Sequence, residues 1–128
     1  MLPVRFGIAL TGDGTGSATG FTAGPVSGRI LQVLYTPGTA GFANASVIAI
    51  TGEETGTVIQ TITTSGTAAF QTVPVQNVSG PTGTVAVYAT GATGATVTAP
   101  VIIANERVKV LASNIGANKS GTVSIIVG

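Results

Sequence analysis

Apolar residues recur at every second position in one short segment after another, and this period constrains the chain's fold more than any other feature. Val4, Phe6, Ile8 and Leu10 fall on one face of an extended segment, with Arg5, Gly7, Ala9 and Thr11 on the other. The same alternation places Val85, Val87 and Ala89 on one side of 84–90, Val108, Val110 and Ala112 on one side of 107–113, and Val123, Ile125 and Val127 on one side of the last segment. Each pattern describes a strand with one buried face. No segment sustains an apolar stripe at helical spacing, and Thr, Val, Gly and Pro are all poor helix formers.

Nine strands are predicted: Val4–Leu10, Arg29–Thr36, Ser46–Thr51, Gly56–Thr64, Ala68–Gln76, Thr84–Thr90, Val97–Ala104, Arg107–Ser113 and Thr122–Val127. Turn signals such as Pro37-Gly38 separate them at short intervals. Residues 12–20, GDGTGSATG, read as a flexible glycine loop, and 90–98, TGATGATVT, as another loop. The expected fold class is all-β, an antiparallel two-sheet sandwich, jelly-roll-like, with about 8–9 strands and almost no helix. An immunoglobulin-like sandwich is the alternative. A chain of 128 residues is one domain's worth, so 1–128 is read as a single β-sandwich, with 1–20 as a candidate inter-subunit arm.

Composition narrows the function. Only 7% of residues are charged, against about 25% in an ordinary domain, so much of the surface is neutral or covered. A net charge of +1 cannot build a basic stripe, which disfavours nucleic acid as a partner. There is no Cys and no His, which removes the thiol nucleophile, the commonest general base and the commonest metal ligand. The apolar stretch near the N-terminus is too short for a signal peptide, and no run approaches the roughly 20 residues of a membrane-spanning helix. The expectation is a non-enzyme with no catalytic, cofactor-binding or metal-binding residues, no cofactor and no membrane partner.

The motifs that invite chemistry fall short of it. Gly12, Gly14 and Gly16 miss the dinucleotide fingerprint because position 17 is Ser, and no helix follows. Lys119-Ser120 is preceded by Asn118 where a phosphate-binding loop needs Gly, so 116–120 reads as a hairpin loop. The acidic residues are Asp13, Glu53, Glu54 and Glu106. Glu53-Glu54 in TGEETG reads as a solvated hairpin tip, and a calcium site joining it to Asp13 lacks the ligand spacing. Asn44, Asn77 and Asn118 open glycosylation sequons and are assigned no role. Glu106, Arg107 and Lys109 form a charge cluster, with Arg107 and Lys109 on the face opposite Val108 and Val110.

Three segments carry a family likeness: GRILQVLYTPGT at 28–39, PVQNVSG at 74–80 and, most sharply, ANERVKVLASNIGANKSGTVSIIVG at 104–128. In these the chain resembles tailed-phage capsid decoration (cement) proteins with a jelly-roll fold. The resemblance implies a virion structural protein on the outer surface of the capsid, made in the host cytoplasm. Its partners would be the major capsid protein, whose subunits it bridges, and its own copies in a dimer or trimer. The alternatives are another virion component, a tail or head-fibre protein, or a carbohydrate-binding β-sandwich module. The last normally stacks sugars on exposed aromatic rings, for which the chain offers only Tyr35 and Tyr88 and no Trp.

Overall fold

The computed structural model describes residues 2–64, 66–77 and 98–128. Among these residues eleven strands follow in order: β1 (Val4–Thr11), β2 (Ala18–Phe21), β3 (Val26–Pro37), β4 (Ser46–Gly52), β5 (Val58–Thr64), β6 (Phe70–Thr72), β7 (Val75–Asn77), β8 (Thr98–Pro100), β9 (Ile102–Glu106), β10 (Val108–Ser113) and β11 (Ser120–Val127). No helix occurs among the described residues.

The topology is that of a long ribbon folded back on itself and then rolled. Four antiparallel pairs are its rungs: β1 with β11, β2 with β10, β3 with β6, and β4 with β5. Rolling the ribbon brings β11 beside β3 and β10 beside β4. Two sheets result, ordered β1-β11-β3-β6 and β2-β10-β4-β5, and this winding defines a jelly roll. An added ribbon, β7 with β8, leads into β9, which pairs with the first half of β3.

The inner faces carry most of the side chains that the two-residue period assigned to them, although Val4, expected with Phe6, Ile8 and Leu10, is exposed at the start of β1. Ile8 and Leu10 from β1, Ile48 and Ile50 from β4, Val108, Val110 and Ala112 from β10, and Val123 and Ile125 from β11 are all buried. Burying such a side chain contributes about 1.5–3 kcal/mol each, and this shared core holds the sheets face to face. At one end Tyr35 stacks on Phe42 and Phe70, at ring centroid separations of 5.0 and 5.3 Å. Its hydroxyl donates to the Gly66 carbonyl at 2.6 Å and accepts from the Phe42 amide at 3.2 Å, so one aromatic side chain ties down two loops.

Several expectations need correction. The segment 68–76 is not one strand: it splits into β6 and β7 at Pro74, which lacks the amide a sheet ladder requires. The segment 97–104 likewise divides at Val101 into β8 and β9. The glycine loop at 12–20 is not free of contacts. Its second half is β2, paired with β10, and its first half is a turn bonded to the β10–β11 connection through Gly12 N to Lys119 O (2.8 Å), Asn118 N to Gly12 O (3.1 Å) and Ile115 N to Gly16 O (2.9 Å). That connection, read as a hairpin loop, joins strands of different sheets and is a corner of the sandwich. The strand expected at 84–90 and most of the loop at 90–98 lie outside the described residues.

Candidate interaction surface

The acidic side chains are placed apart and serve the fold. Asp13 Oδ1 accepts from Thr15 Oγ1 (2.7 Å), Thr15 N (2.8 Å) and Ser17 N (3.1 Å), so the Thr15 hydroxyl and these amides hold its carboxyl below the usual range. Glu106 leaves the expected cluster and turns inward. It accepts from Thr55 N (3.1 Å), Thr55 Oγ1 (2.8 Å) and Glu54 N (3.0 Å), which lowers its pKa and pins the β4–β5 turn. A single side chain, 6% exposed, thereby fixes the turn holding Glu53 and Glu54.

Glu53 is drawn into an ion pair with Arg107, and the Arg107 Nε donates to its Oε2 at 2.6 Å. That contact lowers the Glu53 pKa and raises that of Arg107. The Arg107 guanidinium also lies 4.4 Å from the centre of the Phe21 ring, covering an aromatic face that β2 would otherwise expose. Asp13 sits beyond the Ala112 end of β10 and Glu53-Glu54 beyond its Val108 end, so strand length separates the three carboxylates considered for calcium. No group of three potential metal ligands occurs among the described residues.

The remaining candidates are also accounted for. Gly12 and Gly16 are needed because the chain packs on Gly116; a Cβ on Gly12 would stand 2.2 Å from the Gly116 carbonyl oxygen. Ser46, the third position of the sequon at Asn44, is fully buried. Tyr35 is 1% exposed and cannot stack a sugar, while Tyr88 and Ser79 lie outside the described residues.

What remains is a surface defined by missing charge. No Asp, Glu, Lys, Arg or His occurs between Glu54 and Glu106. In the structure this stretch forms the edge strands β5 and β6 and the β7–β8 ribbon. Pro74 and Val101 are buried beneath the ribbon, while Val73, Val75 and Ile102 are 63%, 53% and 61% exposed and Pro100 lies open beside Val75. Four apolar side chains thus form an outward patch whose own segments carry only the charge of Glu106, which points inward, while Arg29 of β3 stands opposite Ile102 at the patch's border. Total charge signalled a neutral surface in the sequence; its distribution along the chain would have located it.

Fold and surface together define an all-β jelly-roll module. The chain matches no family model and no curated protein. Among solved structures it is similar to one described as "Crystal Structure of FLHE", with 12% identity over 99% of this chain and 98% of that one, at a TM-score of 0.45. The expected role on a phage capsid, bridging the major capsid protein, is corrected: no family model and no curated protein matches the chain, and the matched solved structure is described as FLHE. A likeness this distant carries no argument for any function.

Proposed function

We propose that this chain is a non-catalytic assembly subunit, a rigid jelly roll that joins protein subunits through its uncharged side. The observation that carries this reading is the apolar patch of Val73, Val75, Pro100 and Ile102, set in a stretch without a single Asp, Glu, Lys or Arg. Exposed apolar side chains grouped together and depleted of charge are typical of the centre of a protein contact. The placed acidic groups support the same reading, since Asp13, Glu53 and Glu106 are each engaged in holding a turn or an ion pair. The partners are other protein subunits, including further copies of this chain.

Native fractionation of cells that make the protein tests this. The chain should elute in particles far larger than its own 12.5 kDa, and Val73→Lys with Ile102→Lys should shift it toward the size of a lone subunit. Elution as a single subunit in the unaltered protein would refute the role.

A further inference from the structure

We propose that β5 pairs edge to edge with β5 of a second copy, antiparallel about a two-fold axis at Ile62. This deepens the assembly reading and rests on it, naming one partner and one surface. The pairing would merge two four-stranded sheets into one.

β5 ends the sheet β2-β10-β4-β5, and its backbone ladder runs to β4 alone among the described residues. Exposed strand edges are normally guarded by shortness, charge, proline or a cover. The other edges of the two main sheets have such guards. β6 is three residues long. β2 has four residues, and Arg107 lies across its Phe21. β1 carries Arg5, and its Ile8 and Leu10 close onto Gly20 of β2 at the seam between the sheets. β5 has seven residues, Val58–Thr64, with no charge and no proline, and is tied across the seam to β6 by the hydrogen bond from Thr72 Oγ1 to Gln60 Oε1 (2.6 Å).

Its sequence is also self-complementary. A register shift near Val58, where β5 meets Ile50 and Thr51 of β4, leaves Gln60–Thr64 as the regular stretch, with Ile62 at its centre. A two-fold axis there sets Ile62 against Ile62 on the inner face, and Thr61 against Thr63 twice on the outer face. Ile62 is half-buried and Thr61 and Thr63 are exposed, so all have surface left to cover. A charge at position 62 would face its own copy across the axis, and like charges at 61 and 63 would face one another; here there is none. Opposed threonines and apolar pairs stabilise antiparallel strands, and like charges placed opposite destabilise them. Of the possible occupants, a second copy is the one whose strand is known to present this matching pattern.

The test uses charge pattern at constant charge number. Sedimentation of the purified chain should show a concentration-dependent monomer–dimer equilibrium. Thr61→Lys with Thr63→Lys should weaken it by about tenfold or more. Thr61→Lys with Thr63→Glu should keep it, because each Lys then faces a Glu across the axis. Should the Lys-Lys variant fail to fold, hydrogen exchange of the unaltered chain decides, since the outward amides of β5 should gain protection as concentration rises. A monomeric wild type, undiminished pairing in the Lys-Lys variant, equal loss in both variants, or exchange independent of concentration would each overturn the proposal. A wild type that is monomeric when pure yet elutes in large particles from cells would overturn the edge pairing alone. Elution from cells as a single subunit would overturn the assembly role itself.

Discussion

Tyr35→Phe isolates two hydrogen bonds without disturbing packing. The ring stays, so its stacking on Phe42 and Phe70 is kept and no cavity opens. What is lost is the hydroxyl that donates to Gly66 O and accepts from Phe42 N, and both of those residues are buried. Leaving a buried donor or acceptor unsatisfied costs about 1–3 kcal/mol. Taking about 1–1.5 kcal/mol, the low end of that range, for each group gives a loss of about 2–3 kcal/mol. Unfolding entropy near 2.1 cal/mol/K per residue over 128 residues is about 0.27 kcal/mol/K, so Tm should fall by about 7–11 °C. Urea unfolding with an unchanged m-value, paired with calorimetry, measures both numbers. A loss under about 0.5 kcal/mol would refute the claim that this hydroxyl ties the two loops to the core. The same residue predicts an alkaline limit. Burial raises the Tyr35 pKa above its ordinary 10, outweighing the Phe42 amide, so the folded state holds the proton more tightly than the unfolded chain. This contribution is complete below about pH 10 and is lost as pH rises toward the folded value; the decline should be shallower in Tyr35→Phe.

Ser46→Ala should stabilise the fold by about 0.5–1 kcal/mol in denaturant unfolding, because its buried hydroxyl has no hydrogen-bond partner and its removal leaves only a small void. Glu106→Gln should flatten the acid limb of the stability curve. The Glu106 pKa is lowered by hydrogen bonds, chiefly from the Thr55 amide, so its contribution is full above the ordinary carboxylate value and is lost as pH falls through the folded one; unfolding midpoints followed from pH 6 to 2 would show it. Gly12→Ala should destabilise by about 1–3 kcal/mol, since the added methyl meets the Gly116 carbonyl, and a Tm equal to wild type would contradict that packing.

The two-residue period reports which face of a strand is buried, and it did so for most strands of this chain, with exceptions at Val4, exposed at the start of β1, and at the register shift in β5. Val108, Val110 and Ala112 lie inward while Lys109 and Leu111 lie outward, as their alternation requires. The all-β class was equally legible, because helix needs a stripe that the chain lacks. Partner choice was not. Ala18–Phe21 has too few apolar residues to announce a strand and becomes one only by pairing with Lys109–Ala112, far along the chain. Glu106 is charged like a surface residue, yet the β4–β5 turn brings two amides and a hydroxyl to it and holds it inward. The charge-free stretch was written in the sequence, but only the rolled topology gathers it into one uncharged edge and one apolar patch. Local pattern sets what each residue can face; long-range pairing, decided by the whole core at once, sets what it does face.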